Sequence, residues 1–592
     1  MDFYTGRVLR VDLGRLEAVV EPLRQDWARL YLGGKGLLFR YLFDELAART
    51  DPLSAENPLI LATGPLAGTT AAACSRLVVG CKSPATGTIL DSYVGGSFAP
   101  ELKFAGYDMV ILTGRAPEPM LVRIQDGQVS FLPARPRYWG ADTGQLEKMV
   151  REEMDPAAKV LSIGPAGENL VPFACISTDQ YHKAGRGGAG AVMGAKNVKA
   201  IVVRGTGSVT VGDARRFQRD MLRIVNERVL TEDNWWAVEE GTAAIVDAVD
   251  AGGALPTRNF RTGSFDGVAA IDSQALLSRK TGVRACTQCP VACRQVHRFE
   301  EQICEGPEYE TIGLCGSNCG ISDLDALAAF NRECDDLGLD TISCGAVVGL
   351  AMDLCEAGAA DFGLRFGDTD GYLAAPRMIA VREGFGAELA LGAKGLAELH
   401  RRPELAAEVK NLEMPAYDPR GTFGMALAYA TSDRGACHMR GFPANDELLA
   451  GTRPADTLQG KAQYVIDLQD FNALAWSCSW CANIALDLDL VAAHVRHLWK
   501  REPEPAELTA LGARVWNLGR LLNVREGFGR LQDGLPDRIL TTAHPDGGAA
   551  GRIIGAHAFQ KALDEYYQLR GWDADGVPRE ETLTKLGVDV RV

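Results

Sequence analysis

The residues best suited to chemistry lie together in Cys286-Thr287-Gln288-Cys289-Pro290-Val291-Ala292-Cys293. Three thiolates in a C-x2-C-x3-C run can grip one corner of an iron–sulfur cube, and a fourth ligand must then arrive from elsewhere in the chain. Soft thiolates also select zinc. His297, shortly after Cys293, would complete a Cys3His tetrahedron. The segment by itself leaves both readings open. Cys315 and Cys319 read as small buried residues or as a second metal edge, and Cys478 and Cys481 form a separate C-x2-C pair.

Gly185-Arg186-Gly187-Gly188-Ala189-Gly190 spells GxGxxG. A dinucleotide site needs a strand before the motif and a full helical crossover after it. Ser177–Ala184 is polar, and the next apolar run, Ala200–Val203, follows too soon. What remains is a run of backbone N–H groups that can cradle a phosphate, with Arg186 adding a bidentate charge. Ser75-Arg76 and Gly95-Gly96 form a second region of this kind. The two together suit a large anionic cofactor, whereas either alone reads as a tight turn.

The elements that must position these residues divide by texture. Residues 1–206 read as a β-rich domain. Arg7–Asp12 alternates at period two, and short apolar runs follow at Leu59–Ala62, Leu77–Gly80, Met109–Leu112, Val160–Ile163 and Ala200–Val203. A helical pattern runs from Trp27 to Leu46. Beyond residue 207 amphipathic helices dominate: Ala214–Val229, Asp323–Asp336, Ile342–Ala357, Ala375–Glu383 and Leu490–Arg501. A Pro-rich break near Met414–Pro419 divides this part into helical domains over 207–412 and 413–592. The fold class is therefore α+β.

The 592 residues carry a net charge of −15, which disfavours nucleic acid and anionic membranes as partners. No run of about 18 apolar residues predicts a membrane span. Met1-Asp2-Phe3-Tyr4 shows neither a basic nor an apolar leader. The 15 cysteines are thus expected in a reduced, cytoplasmic chain, as ligands or buried thiols.

Taken in order, these segments resemble the aldehyde:ferredoxin oxidoreductase family over nearly the whole chain. The matching pieces are Gly33-Gly34-Lys35-Gly36, Ala62–Leu66, Ser75-Arg76, Gly95-Gly96, Ala184–Lys196, the cysteine run, Glu305–Thr311, Asp335–Asp340 and Arg434–Arg440. The resemblance implies an N-terminal β base for the cofactor, covered by two helical domains. It implies tungsten, or sometimes molybdenum, held by the dithiolenes of two pterins, with Mg2+ bridging the pterin phosphates and a [4Fe–4S] cluster beside one pterin.

Carried over by position, Arg76, Arg186 and Arg440 match pterin or phosphate contacts, and Gly95 lies in the second glycine region. The carbonyls of Tyr93 and Gly187 match Mg2+ ligands, although the family usually has Asn where Tyr93 stands. Asp335, Gly338, Leu339 and Asp340 match the first of two D-x-x-G-L-(C/D) pterin motifs. The second copy supplies the fourth cluster ligand. Here it is broken, with Asn472 for Asp and Ala475 for Gly. Cys478 fits it best, with Cys481 as the fallback.

The resemblance also places Glu310 and His438 at the metal and Tyr417 against the substrate. His438 is expected to change charge near neutral pH, and Glu310 to act as a base toward water or the hydrated aldehyde. The implied reaction oxidises aldehydes to carboxylic acids with water as the oxygen source. Electrons leave through the cluster to ferredoxin or a partner iron–sulfur subunit, within an oligomer or multi-subunit complex. Relatives that act on aryl-CoA thioesters supply the alternative substrate. Glu398 and His400 do not form the D/E-x-x-H pair that bridges subunits in one branch.

Overall fold

The computed structural model describes residues 2–300 and 302–589. Two six-stranded mixed sheets form the N-terminal part. The first comprises β1 (Arg7–Asp12), β2 (Glu17–Pro22), β3 (Leu59–Thr63), β4 (Leu77–Lys82), β5 (Ile89–Val94) and β6 (Met109–Thr113), in the order β2-β1-β6-β3-β4-β5. Only β1 and β6 pair in parallel within it.

The second sheet comprises β7 (Met120–Gln125), β8 (Gln128–Pro133), β9 (Lys159–Ser162), β10 (Ile176–Thr178), β11 (His182–Ala184) and β12 (Val198–Arg204), in the order β11-β10-β9-β12-β7-β8. A third sheet of three short strands, β13 (Lys280–Arg284), β14 (Arg294–Phe299) and β15 (Gln302–Glu305), frames the cysteine run.

Strands β3 to β6 of the first sheet are buried on both faces, which explains their continuous apolar runs, whereas the edge strand β2 is exposed. Leu9, Val11, Leu59, Leu61, Leu77, Val79, Val110 and Leu112 point into a core shared with the second sheet. Their neighbours Val8, Ile60, Ala62, Val78, Met109 and Ile111 point the other way, into the large core made with the helices. A strand's period of two sends alternate side chains to opposite cores.

The helical expectations hold in place with adjusted ends. Helices span Leu324–Leu337, Thr341–Glu356, Thr369–Val381 and Leu488–Trp499. The pattern from Trp27 to Leu46 is two helices, Gln25–Tyr31 and Gly34–Glu45. Leu32 at φ 58° ends the first, because a left-handed residue cannot continue a right-handed helix. The pattern from Ala214 is helical to Ile224 and widens into a π-helical turn over Val225–Val229. No helix among the described residues is long and apolar enough to cross a membrane.

A buried ion network joins base to helices. Lys35 Nζ lies 3.2 Å from Asp91 Oδ2 on β5 and also bonds Asp433. Arg440 bonds Asp91 Oδ1 at 2.6 Å and Asp433 Oδ1 at 2.9 Å. All four side chains are excluded from solvent. Burial pushes the Asp91 carboxyl up, but Arg440, Lys35 and Arg434 outweigh it and hold it well below the usual range. Removing one partner of a buried ion pair costs about 3–5 kcal/mol. Lys35→Met is therefore expected to lower the apparent melting temperature clearly; an unchanged melting curve would show that Arg440 alone neutralises both carboxylates.

Candidate active site

The cysteine run forms the loop between β13 and β14, with Gln288 and Ala292 both in left-handed backbone. Cys286 Sγ accepts the Gly96 N–H at 3.2 Å and lies 3.3 Å from His182 Nε2. A Cβ at Gly95 would sit 2.8 Å from Cys286 Sγ, so the second glycine region is where backbone and thiol meet. Asn483 Nδ2 donates to Cys293 Sγ at 3.4 Å.

The structure brings Cys481, not Cys478, to this trio. Burial raises the Cys286, Cys289 and Cys293 thiols, Cys289 up to about 11, and the Cys481 sulfur adds to the rise at all three. Arg76 Nη2 donates to Cys481 Sγ at 3.0 Å and faces Cys286 and Cys293 as well. Cys478 caps the helix Lys461–Ser477 and is fully buried. Its thiol is raised by burial alone, to about 12. A Cβ at Gly64 would come within 2.3 Å of the Cys478 carbonyl, and one at Gly34 equally close to the Trp476 carbonyl. These glycines let the helix end seat against the base.

The second motif is consequently read in another register. Helix Leu324–Leu337 ends at Gly338, φ 74°, with Leu339 N–H bonded to Cys334 O at 2.9 Å and Gly338 N–H to Asp335 O at 3.4 Å. The later helix repeats this cap at Ser479, φ 59°, with Trp480 N–H to Ala475 O at 3.1 Å and Ser479 N–H to Trp476 O at 3.2 Å. Trp476-x-x-Ser479-Trp480-Cys481 thus superimposes in role on Asp335-x-x-Gly338-Leu339-Asp340. Asn472 instead bonds the Met439 and Arg440 carbonyls.

Among the described residues, no three His, Cys, Asp or Glu side chains converge tightly enough to hold a single metal ion. His297 lies on β14, opposite Lys280 and Cys304.

Glu310, His438 and Tyr417 do converge. Glu310 is the middle residue of the short helical turn Tyr309–Thr311, which runs into a π-helical turn over Ile312–Gly316, a distortion frequent at functional sites. Its Oε1 lies 3.2 Å from His438 Nδ1, while Oε2 accepts the Ala416 N–H at 2.9 Å. Tyr417 packs on His438 and Phe442, with ring centroids 5.6 and 5.0 Å away.

The Glu310–His438 contact has the length of an ion pair but not its charges. Burial pushes Glu310 up to about 8. Burial, then Arg186, Arg434 and Arg440, push His438 down to about 3. At pH 7 both are mainly neutral. Glu310, rather than His438 as expected from its ordinary range, is the group that titrates near neutrality. Cys437 is a further buried group beside them. Burial would raise its thiol, but Arg434, Arg440 and Arg186 outweigh burial and lower it.

Arg76 Nε, Arg186 Nε and Arg440 Nη1 are each buried without a hydrogen bond, although Arg186 Nε lies 3.6 Å from Asp340 Oδ2. Glu310 Oε1 and His438 Nδ1 also lack an aligned hydrogen bond. Native interiors rarely leave such groups unpaired, so their gathering marks a place for a polar, anionic ligand. Arg186 is otherwise anchored to the Ala436 and Glu413 carbonyls.

Asp335 lies 3.6 Å from Lys183. Asp340 caps helix Thr341–Glu356, accepting from Ile342 and Ser343 N–H and Ser343 Oγ, and lies 3.6 Å from Arg186 Nε, with acceptor capacity left on Oδ1. Leu339 bridges to Ala174. The Gly187 carbonyl accepts from Ser83 Oγ at 2.8 Å, with one lone pair left. The Tyr93 hydroxyl bonds Asp91. Sequence reasoning assigned no role to Lys35, Trp476, His182 or Cys437; for Lys35, its place in the glycine motif was the available signal.

Two family models cover the chain: the aldehyde ferredoxin oxidoreductase N-terminal domain over residues 8–205 and its domains 2 and 3 over residues 220–588. A tungsten-containing aldehyde ferredoxin oxidoreductase of Pyrococcus furiosus is 39% identical, covering 98% of both chains. One from Thermococcus kodakarensis is 36% identical with the same coverage. The WOR-like subunit of an aliphatic sulfonate oxidoreductase of Pyrococcus furiosus is 28% identical over 99% of this chain and 97% of its own. Among solved structures, the active-site complex of benzoyl-coenzyme A reductase shares the fold, with TM-score 0.84 at 24% identity over 99% of this chain and 97% of that one. The chain belongs to the aldehyde ferredoxin oxidoreductase family and is an oxidoreductase.

Cys481→Ser is expected to lose iron and the brown absorbance of a cluster, whereas Cys478→Ser should keep both. Loss of iron in Cys478→Ser with retention in Cys481→Ser would reverse the assignment.

Proposed function

We propose that the protein is a tungsten- or molybdenum-bis-pterin enzyme that oxidises aldehydes to carboxylic acids with water as the oxygen source. The observation that carries this reading is the Glu310–His438 pair, buried near Arg186 and Arg440, the latter with an Nη1 that makes no hydrogen bond. Cys286, Cys289, Cys293 and Cys481 would hold a [4Fe–4S] cluster. Arg76, Arg186, Arg440 and Asp335 would contact the pterins, and the Tyr93 and Gly187 carbonyls a bridging Mg2+. The bound metal would supply two-electron oxidation, and the cluster one-electron delivery to a ferredoxin or a partner iron–sulfur subunit.

The chain's own groups would handle substrate and protons. Tyr309, Tyr417 and Phe442 pack into an aromatic surface beside the pair. Burial keeps the Tyr417 hydroxyl protonated, with neighbouring Glu310 reinforcing this, so it is a donor able to orient a carbonyl oxygen. Glu310, once deprotonated, takes a proton from water or the hydrated aldehyde at Oε1. His438 stays neutral beside Oε1, and the Ala416 N–H holds that carboxyl in place through Oε2.

A carboxyl with a pKa of about 8 makes the pH dependence explicit. Below that value the base is protonated, so kcat/KM rises with pH toward about 8 and levels above it. Glu310→Gln should remove this limb and cut turnover about a hundredfold or more, and His438→Asn should do likewise in rate. Normal turnover in correctly metallated variants would take that residue out of the mechanism. Elemental analysis should find about four Fe and one W or Mo per chain; zinc alone would sink the proposal. Activity with aryl-CoA thioesters and none with aldehydes would change the substrate class.

A further inference from the structure

The two helix caps share a backbone but differ in chemistry at the residue three before the left-handed turn. The first has Asp335, facing Lys183 at 3.6 Å. The second has Trp476, whose indole stacks on Tyr93 with centroids 4.1 Å apart and planes tilted 34°. Guanidinium groups flank the stack. Arg76 Cζ lies 5.8 Å from the Trp476 ring, and Arg440 Cζ lies 5.4 Å from the Tyr93 ring. Arg76 reaches on to Cys481 Sγ at 3.0 Å, and Arg440 to Asp91 and Asp433. Trp476 Nε1 points to Met439 O at 3.5 Å, and the Tyr93 hydroxyl bonds Asp91, so both rings are fixed at their edges.

We propose that Trp476, braced by Tyr93, is a positioning residue that holds the Arg76 guanidinium on the Cys481 sulfur. The inference rests on the cluster assignment above. A ring face attracts a guanidinium without using its N–H donors. A carboxylate at the same place would take those donors in a bidentate salt bridge and draw Arg76 off the thiolate. The aromatic residue therefore leaves Arg76 free to donate to sulfur, and N–H···S bonds stabilise the reduced, more negative cluster. Trp476 in this way sets the potential at which the cluster accepts an electron, without touching it.

The test is an EPR-monitored redox titration of the cluster in the holoenzyme, with iron counted in each sample. Trp476→Asp is expected to shift the midpoint to more negative potential at full iron content, matching Arg76→Gln, and the double variant should shift no further than either single one. Trp476→Phe, which keeps a ring face, should titrate like the wild type, and Trp476→Leu should shift negative. An unmoved midpoint in Trp476→Asp overturns the proposal. If that variant loses iron, equal midpoints for the Phe and Leu variants overturn it. A wild type with no four-iron signal would instead remove the cluster assignment, and unmoved variants beside a normal wild-type signal would remove only the role of Trp476.

Discussion

Asp91 sits on the last strand of the first sheet, without solvent, between Lys35 from the helix beneath and Arg440 from the helical half. A carboxylate there is tolerable only because cations arrive from both sides. Asp433 closes the set by bonding the same two cations. The arrangement makes the base and the segment carrying Cys437 and His438 one electrostatic unit. The Arg434 guanidinium joins it through the Asp91 carbonyl at 2.8 Å and reaches Cys437 Sγ. The site is thus anchored by charge pairing as well as by packing.

The same concentration of guanidinium groups explains the chemistry left for the site. Arg186, Arg434 and Arg440 keep His438 from gaining a proton, after burial has already disfavoured it. They also help lower the Cys437 thiol against its burial. Glu310 is lifted by burial and eased by Arg186, and remains near neutrality. One carboxyl able to exchange a proton beside a neutral imidazole is a workable division of labour for oxidation that releases protons. Buried N–H groups on Arg76 and Arg440 that make no hydrogen bond point to an anion as the missing partner.

Much of the frame was legible because it depends on local pattern. Strands β3 to β6 show as short apolar runs since both their faces are covered. The helix Leu324–Leu337 shows through Asp323 at its start and Gly338 at its end. The GxGxxG letters were set aside for want of a preceding strand, yet two short strands, Ile176–Thr178 and His182–Ala184, do lie there. β11 pairs antiparallel with β10, and the helix that follows, Ala189–Ala195, is too short for a dinucleotide crossover. Asp340 was read as a ligand contact; its carboxylate also caps the following helix and lies 3.6 Å from Arg186 Nε, a second role that the spacing alone did not show.

The sequence by itself determined the three clustered cysteines, because ligands a few residues apart need only a tight loop to meet. It also determined Glu310, Tyr417 and His438 as candidates, through a resemblance of ordered motifs. It did not determine which distant cysteine joins the trio. Cys478 and Cys481 differ by three positions, and their directions depend on where the helix stops. That stop is a left-handed turn at Ser479, a residue type that does not announce it. Packing of the Trp476 and Cys478 carbonyls against Gly34 and Gly64 holds the turn. Only the tertiary structure decides it, because the contacts that orient Cys481 come from the opposite end of the chain.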